Sequence, residues 1–274
     1  MRISEIRCRS ALTGRGGSYT LNPYVGCTHM CAYCYASYMS RWKGEGGPWG
    51  TWVHVKVNVP EVLKKELSRP SSLVGISVFI STVCDPYQPS EKKYGLTKRC
   101  LEVLSEHAQA GTLKVTLATK SDLVLRDLDL FRSFPEGGLR LAFSITTYRD
   151  EVASRLEPFS PRPSRRIAAA RVLKEAGLRV GFFVCPVLPY LTERDLGGIL
   201  DVAEELRLDF LSFDTLNYLK GHIRRGIFRA YRTLGDEALR RLEYAKDEPG
   251  YAAELREHIL RETSGRGIDV EVLF

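Results

Sequence analysis

A chain of 274 residues with 44% hydrophobic and 27% charged residues has the composition of a soluble globular protein, with the length for one large α/β domain or one domain with an appendage. No apolar run approaches the roughly 20 residues that span a bilayer, and the amino terminus lacks the apolar core of a signal peptide, so we expect a cytoplasmic protein. The net charge of +7 favours an anionic partner, with nucleic acid as the first candidate.

The first predicted elements surround a cysteine-rich loop. Residues 1–17 are predicted to form an irregular, basic lead-in, residues 18–24 the first strand and residues 36–41 a short helix. Three of the seven cysteines lie between that strand and that helix: Cys27, Cys31 and Cys34. In a reducing compartment, cysteines are more naturally ligands, thiols or core residues than disulfides.

The spacing of these three cysteines predicts a metal centre with one open coordination position. An odd, closely spaced trio cannot form a disulfide scaffold, and a closed structural zinc site takes four ligands. A 4Fe-4S cluster is as a rule bound by four thiolates, so three cysteines leave one iron free for an exogenous ligand. The alternative is a zinc site completed by His29 or Cys84, although ligation by His29 would strain the short loop.

The segment that follows is rich in glycine and holds all three tryptophans. Residues 42–52 read WKGEGGPWGTW, a composition that excludes a helix or a central strand. Two interpretations are open. The segment is either a mobile lid whose indoles cover the substrate or stack on bases, or a loop whose indoles pack on the domain.

From residue 53 onward, strand patterns and helix patterns alternate. Residues 53–59 alternate valine with polar residues, which predicts a half-buried strand, and Pro60 suits the start of a helix that ends at residue 67. Further strands are predicted at residues 75–81, 113–119, 139–146, 178–184 and 209–213. Further helices are predicted at residues 96–104, 126–134, 164–176 and 196–206, the last with a capping box formed by Thr192 and Asp195.

These strands predict a parallel sheet. ISVFI and VGFFV are apolar on both faces, as expected of strands covered by helices on both sides. With the first strand, the pattern gives six strand–helix units and an α/β fold.

The carboxyl-terminal part predicts further helices and one more strand. GHIRRGIFRAYR places Arg225, Arg229 and Arg232 on one face of an amphipathic helix. This basic face either meets phosphates or is the solvated side of a docking helix. Helical patterns follow at residues 236–244 and 251–262, and the alternation in IDVEVLF predicts a closing strand.

Polar and thiol side chains follow the predicted strands. Ligands of parallel α/β proteins bind at the carboxyl ends of the strands, so these side chains should surround one cavity together with the cysteine loop. They belong to residues 82–87, 119–120, 144–147, 185–189 and 214–217. Lys120, a lone basic residue at a strand end, is well placed to bind a carboxylate, and the alternative is a salt bridge with Asp122 or Asp85.

The cysteine loop resembles the signature of the radical S-adenosylmethionine (radical SAM) superfamily. CxxxCxxC with Tyr33 before the last cysteine carries this resemblance. The wider motif NPYxGCxHxCxYCY, the later DPYQPxE at residues 85–91 and LEP at residues 156–158 resemble the spore photoproduct lyase-like branch, also called the DNA repair photolyase-like family. The resemblance extends over residues 21–213 and does not specify a substrate.

The resemblance implies a fold and a chemistry. The fold is a partial (β/α)6 barrel of the TIM type over residues 18–220, with residues 221–274 as a helical extension that ends in a possible closing strand. The chemistry uses a 4Fe-4S cluster bound by the three cysteines, and SAM bound to the open iron. Reductive cleavage of SAM would give a 5'-deoxyadenosyl radical that abstracts hydrogen from the substrate, in a lyase-like or related reaction. The electron would come from a donor such as a ferredoxin or a flavodoxin.

The resemblance also implies roles for residues around the cavity. Tyr33 would place its backbone near the adenine, Lys120 would bind the SAM carboxylate and Ser144 would bind the ribose. The Gly-Gly-Glu that binds the methionine amine in many members is missing. Asp85, with its neighbours, is the candidate substitute, and the alternative role of its carboxylate is plain turn chemistry.

Two more site candidates come from the same motifs. Glu157, in LEP, either binds substrate or SAM or pairs with one of three arginines: Arg155, Arg165 or Arg166. Cys84 is the candidate donor of a hydrogen atom to a product radical, and its alternative role is that of a small apolar side chain. Spore photoproduct lyases carry the donor cysteine three residues before the aspartate, where this chain has Thr82, so the resemblance does not predict spore photoproduct repair.

Three functional hypotheses follow. The first is a radical SAM enzyme that acts on a nucleic acid base or lesion. The second keeps this chemistry and changes the substrate to a peptide, a protein or a small molecule. The third, from another class, is a non-catalytic metal-binding or nucleic-acid-binding protein on a barrel scaffold.

Overall fold

The computed structural model describes residues 1–41, 47–68, 75–109, 113–216 and 221–274. The strands, in chain order, are β1 (Arg2–Ile6), β2 (Leu12–Arg15), β3 (Ser18–Leu21), β4 (Tyr24–Val25), β5 (Trp52–Lys56), β6 (Ile76–Ile80), β7 (Leu113–Thr119), β8 (Leu139–Ser144), β9 (Val180–Val187), β10 (Phe210–Thr215) and β11 (Asp269–Val272). The α-helices are α1 (Val59–Leu67), α2 (Ser90–Tyr94), α3 (Leu96–Ala108), α4 (Leu128–Phe131), α5 (Asp150–Leu156), α6 (Pro163–Glu175), α7 (Leu191–Glu205), α8 (Gly221–Arg232), α9 (Asp236–Asp247) and α10 (Tyr251–Thr263). Two 3-10 helices span Tyr35–Arg41 and Asp122–Asp127. Within the described ranges, no helix is long and apolar enough to span a bilayer.

The centre of the fold is an eight-stranded sheet with the strand order β11-β10-β9-β8-β7-β6-β3-β2. All pairings from β3 to β11 are parallel, and β2 lies antiparallel to β3 at the edge. Phe79 of β6, Ala118 of β7 and Phe183 of β9 line the same cavity, as expected of a sheet that curls into a partial barrel. The predicted α/β barrel is confirmed, and β11 extends its parallel sheet beyond the six predicted units.

The hydrophobic core lies between the sheet and its helices. In α3, the predicted apolar face is buried: Leu96, Cys100, Leu101 and Leu104. The strands contribute fully buried side chains such as Val78, Leu117 and Phe182. Burying one such side chain contributes about 1.5–3 kcal/mol, so many of them offset the entropy cost of ordering the chain.

The amino-terminal segment differs from the predicted irregular lead-in. β1 pairs in parallel with β5, and β5 also pairs antiparallel with β4, which gives a separate three-stranded sheet. β1 and β2 are short and mostly exposed, so their apolar periodicity is too weak to indicate strands. The predicted strand at residues 18–24 is two strands, β3 and β4, separated by Asn22 and Pro23.

The start of α7 also differs from the prediction. The helix begins at Leu191, and Thr192 and Asp195 do not form the predicted capping box. The Thr192 hydroxyl donates to the carbonyl of Thr146 at 2.6 Å, and Asp195 pairs with Arg149, with 2.8 Å between Nε and Oδ1. Both side chains therefore bind the helix to the loop after β8, which local spacing alone does not indicate.

The carboxyl-terminal helices pack on the cysteine loop. Ile227 and Tyr231 of α8 share a second hydrophobic core with Tyr33, Leu156 and Leu188. β11 pairs with β10 in the main sheet, so the predicted closing strand is present. Residues 221–274 therefore contact the rest of the chain at their beginning, through α8, and at their end, through β11.

Candidate active site

A cavity of about 520 Å³ lies at the carboxyl ends of the parallel strands. The structure brings together in its wall the predicted residues Cys27, Cys31, Tyr33, Cys34, Thr82, Cys84, Asp85, Lys120, Ser144, Cys185 and Asp214. Asn217, which ends the predicted set, lies outside the described residues. This volume is within the range of about 300–1,000 Å³ that is typical of small-molecule sites.

The cysteine loop connects β4 to the first 3-10 helix and is held in place by backbone contacts. Gly26 has a φ of +89°, and a Cβ atom at this position would lie 2.6 Å from the carbonyl oxygen of Trp52. Only glycine suits both the conformation and the close approach. The Ala32 N–H donates to the carbonyl of Leu156 at 2.8 Å, which binds the loop to the LEP motif. The loop conformation is thus fixed without using the thiols.

Gln88, in the DPYQPxE segment (residues 85–91), holds the same loop through its side chain. Gln88 is fully buried. Its Nε2 donates to the carbonyl of Gly26 at 3.1 Å, and its Oε1 accepts from the Thr28 N–H at 3.2 Å. These two bonds lie on either side of Cys27, so Gln88 sets the position of the first thiol. The sequence analysis did not identify this role.

Replacing Gln88 with leucine is expected to weaken cluster binding. The variant leaves the Gly26 carbonyl and the Thr28 N–H buried without partners, and each unpaired group costs about 1–3 kcal/mol. Anaerobic reconstitution followed by iron analysis should give less iron per chain than in the wild type. Gln109→Leu is the matched control, because the Gln109 side chain is exposed and, among the residues that the structure describes, bonds only to the Ser133 carbonyl. Equal iron content in both variants would contradict the role of Gln88.

The three thiols suit an iron–sulfur cluster. Each is a free cysteine in the wall of one cavity. Burial raises the pKa of Cys31 to about 12, against the opposing effect of Lys120, so metal binding must accompany ionisation of the thiol. Among the described residues, no three His, Cys, Asp or Glu side chains could hold a single metal ion. A cluster does not require such a group, because each thiolate binds a different iron.

His29, a ligand in the zinc alternative, is buried at the cavity wall. Within the described part of the chain, its Nδ1 has no hydrogen-bond partner, and this atom lies 3.5 Å from Oδ2 of Asp85. Burial lowers the pKa of His29, although Asp85 opposes this shift. The His29 ring therefore lies within the cysteine loop, at the cavity wall, and contacts the carboxylate of Asp85.

Asp85 is occupied mainly by protein donors. Its Oδ1 accepts from the Tyr87 N–H at 2.9 Å and the Thr119 hydroxyl at 2.8 Å, and its Oδ2 accepts from the Lys120 N–H at 2.7 Å. The bond to Tyr87 is the turn chemistry that the sequence left open as an alternative. A carboxylate accepts about four hydrogen bonds, so Asp85 retains the capacity for one more at the cavity.

Lys120 directs its ammonium group to the cavity. Asp122 pairs with an arginine of α6, and Asp85 binds the backbone of Lys120, so neither aspartate forms the alternative salt bridge. Burial lowers the pKa of Lys120, but Glu157, Cys31 and Asp85 together more than offset this effect, and the pKa lies above its usual value. The side chain therefore stays charged and suits a ligand carboxylate.

Glu157 lies behind the cavity wall in a buried ion pair with Arg166. Its carboxylate accepts from Nη2 of Arg166, from the Tyr33 hydroxyl and, at 3.3 Å, from the Thr146 hydroxyl. The side chains of Glu157 and Arg166 are 0% and 1% exposed. Burial would raise the pKa of Glu157, but Arg166 and then Lys120 hold it at about 2. The geometry favours pairing with Arg166 over direct ligand binding, since Glu157 does not belong to the described cavity wall.

Arg166 connects this ion pair to two predicted SAM residues. Its Nη1 donates to the carbonyl of Ser144 at 2.9 Å. The Tyr33 ring, held through Glu157, has its centroid 5.7 Å from Nζ of Lys120. Ser144, Tyr33 and Lys120 therefore meet at one buried network, which we call the Glu157–Arg166 network.

Two further thiols face the cavity. Sγ of Cys84 lies 3.5 Å from Oγ of Ser81 and 4.0 Å from Oδ1 of Asn22, and burial raises the pKa of Cys84 to about 11. Sγ of Cys185 lies 3.4 Å from the carbonyl oxygen of Ser212. The raised pKa keeps the Cys84 S–H bond intact at neutral pH.

The cavity also has an apolar wall that the sequence analysis did not identify. Phe79 and Phe183 form an edge-to-face pair with their centroids 5.8 Å apart. Leu273, which follows β11, reaches the same cavity from the carboxyl-terminal part. ISVFI and VGFFV are apolar on both faces, so the sequence alone does not tell which phenylalanines face the cavity, and no local pattern marks Leu273.

The glycine-rich segment at residues 42–52 is described only in part. Residues 42–46, including Trp42, lie outside the described residues. Trp49 and Trp52 make an edge-to-face contact with centroids 5.8 Å apart, and Trp52 is buried against Gly26. Trp52 thus follows the packed-loop interpretation, and the lid interpretation of residues 42–52 stays a prediction.

Three free thiols and a charged lysine at the carboxyl ends of a parallel barrel are an arrangement that suits an iron–sulfur enzyme. A model of the Radical SAM superfamily matches residues 21–203 of the chain. An uncharacterized protein of Methanocaldococcus jannaschii is 31% identical over 224 residues, which are 81% of each chain. The chain belongs to the radical SAM superfamily, whose members use a 4Fe-4S cluster and SAM.

Other relatives extend the comparison. An uncharacterized protein of Mycobacterium tuberculosis is 35% identical over 206 residues, which are 72% of this chain and 58% of the relative. A structure of spore photoproduct lyase complexed with dinucleoside spore photoproduct matches with a TM-score of 0.70 at 20% identity, over 93% of this chain and 76% of that chain. Streptococcus suis SuiB bound to the precursor peptide SuiA matches with a TM-score of 0.64 at 13% identity, over 93% and 48%. At these identities, the two structures support the fold.

Proposed function

We propose that the radical SAM chemistry of this chain acts on a nucleic acid base or lesion. The observation that carries the proposal is the aromatic pair Phe79 and Phe183, which forms an apolar wall in the cavity that also holds the three thiols. Aromatic side chains are the surfaces on which bases stack. The net charge of +7 supports an anionic polymer as substrate, and the related spore photoproduct lyase binds a dinucleoside lesion.

In this proposal, different residues of the cavity bind the cluster and SAM. Cys27, Cys31 and Cys34 hold the cluster, and the cluster with SAM supplies the radical chemistry. The Lys120 ammonium binds the carboxylate of SAM, and the Ser144 hydroxyl binds its ribose. These assignments are part of the proposal.

Three other residues complete the proposed SAM site. The Tyr33 backbone lies near the adenine, and Asp85 offers its remaining acceptor position to the methionine amine. Glu157 acts indirectly, because it positions the Tyr33 ring and neutralises Arg166. A cytoplasmic location, predicted from the sequence, would give the cluster access to reduced carriers.

Cys84 is the proposed donor of a hydrogen atom to the product radical. Its S–H bond breaks as the new C–H bond of the product forms, which leaves the unpaired electron on sulfur. One electron and one proton then restore the thiol, and the electron comes from the same carrier that reduces the cluster. The raised pKa of Cys84 is consistent with this role, since only the protonated thiol carries the hydrogen.

The substrate class is tested by the rate of 5'-deoxyadenosine formation with the anaerobically reconstituted protein. The added polymers are duplex DNA with and without ultraviolet irradiation, RNA, and a peptide mixture of equal mass. We expect that added nucleic acid accelerates SAM cleavage. The reaction should also change the mass of the nucleic acid. Cys84→Ala should retain SAM cleavage and lose the mass change. Acceleration by the peptides alone would instead support a peptide substrate, as found for SuiB, and would overturn the proposal.

A further inference from the structure

Helix α8 presents a basic face to solvent. Its twelve residues, GHIRRGIFRAYR, contain four arginines and no carboxylate. Arg225, Arg229 and Arg232 are exposed, and we call them the arginine face. The opposite side of the helix is buried through Ile227 and Tyr231.

Some exposed arginines of this chain pair with carboxylates, which the described residues do not provide for the arginine face. Arg99 pairs with Glu61, and Arg171 pairs with Glu205. Within the described residues, no carboxylate pairs with any member of the arginine face. Three neighbouring positive charges without internal partners favour an acidic ligand from outside.

The inner side of α8 lies directly on the cysteine loop. A Cβ atom at Gly226 would lie 3.0 Å from the carbonyl oxygen of Ala32, the residue that follows Cys31. The loop therefore has two sides: one forms the cavity wall through its thiols, and the other packs on α8. Among the described residues, those that line the cavity include none from α8.

We propose that the arginine face is the docking site of an acidic one-electron carrier protein, of the flavodoxin or ferredoxin kind, that reduces the cluster. The proposal rests on the assignment of the cluster to the three cysteines. Radical SAM chemistry consumes one external electron, so the carrier is oxidised by one electron as the cluster is reduced by one. A helix with its side chains is about 10–12 Å thick, so a carrier on the outer face would lie about one helix diameter from the loop.

The position of the arginine face favours a carrier over the nucleic acid substrate. A base undergoing reaction must enter the cavity, which is on the other side of the cysteine loop. An electron needs no opening, because it crosses packed protein. Docking behind the loop would also let the carrier and the substrate bind at the same time.

The test compares the rates at which two reductants reduce the cluster of the reconstituted full chain. Reduction of the cluster is measured as the loss of its absorbance. One is reduced flavodoxin, and the other is photoreduced deazariboflavin, a small uncharged reductant. We expect R225E/R229E/R232E to slow reduction by flavodoxin at least about tenfold at low salt, as electrostatic steering predicts, with no change for deazariboflavin. The difference should disappear between ionic strengths of about 0.01 M and 1 M, where the Debye length falls from about 30 Å to about 3 Å.

The matched control is K64E/K65E/K98E, which makes the same charge change at exposed lysines of α1 and α3. An equal effect of both variants on the flavodoxin rate would show that net charge, not docking, is responsible. An unchanged flavodoxin rate with loss of DNA binding would assign the arginine face to phosphates instead. An equal decrease in the reduction rate with both reductants would show that the arginines stabilise the cysteine loop. Cluster reduction needs no substrate, so this test is separate from that of the substrate class.

Discussion

Replacing Cys31 with alanine is expected to give a folded protein that binds no intact 4Fe-4S cluster. The loop around Cys31 is fixed by the Ala32–Leu156 backbone bond and by Gln88, so loss of one thiol leaves the fold in place. Loss of an outer-shell partner already costs about 10- to 100-fold in metal affinity or activity, and loss of a ligand should cost more. Iron and sulfide analysis, together with circular dichroism, separates loss of the cluster from loss of the fold.

The control for this experiment is Cys8→Ala. Cys8 is a free, half-buried cysteine in the amino-terminal segment, away from the cavity wall. In the wild type and in this control, electron paramagnetic resonance of the reduced protein should show a 4Fe-4S signal that shifts when SAM is added. A Cys31→Ala protein with full iron content and SAM cleavage would refute the assignment of the ligands.

Replacing Arg166 with methionine is expected to destabilise the protein by about 3–5 kcal/mol, because it leaves the buried carboxylate of Glu157 without its main partner. The same change removes the hydrogen bond to the carbonyl of Ser144 and the cation that holds Glu157 beside the Tyr33 hydroxyl, so SAM affinity should fall as well. Denaturant unfolding of the protein without its cluster measures the first effect. Titration of the reconstituted protein with SAM measures the second.

The neighbouring Arg165 provides the control within one turn of the same helix. Arg165 is 63% exposed and pairs with Asp122 at the surface, where a pair contributes about 0–1 kcal/mol. Arg165→Met should therefore leave both measurements almost unchanged. Adding Glu157→Gln to Arg166→Met should recover part of the lost stability, since a neutral amide then replaces the buried carboxylate that lost its arginine. Equal destabilisation by the two arginine variants would contradict the Glu157–Arg166 network.

The barrel and the cysteine loop could be predicted from the sequence because both depend on local patterns. The buried strands appear in the sequence as short apolar runs. The buried face of α3, which holds Leu96 and Leu104, appears as apolar residues at the spacing of a helix. β1 and β2 could not be predicted, because most of their side chains are exposed and their sequences show no regular alternation of apolar and polar residues. Their strand structure depends on pairing with distant residues.

The partners of the site residues could be predicted only in part. Glu157 has three arginines nearby in the sequence, and adjacent residues on a helix point about 100° apart, so only the packed helix shows that Arg166 faces it. Gln88 reaches Gly26 across 62 residues, and no pattern within DPYQPxE indicates that contact. Non-local hydrogen bonds of this kind follow from the fold and not from local periodicity.

The DPYQPxE segment bonds through Gln88 to the residues on either side of Cys27, and through Asp85 to the backbone N–H of Lys120. The seven residues thus link the cysteine loop to the end of β7, which are far apart in the sequence. A protein designer who transfers only the CxxxCxxC loop to another barrel would move the ligands without the part that aligns them. Transplanting residues 85–91 together with the loop would move the ligands with the side chain that sets the position of Cys27.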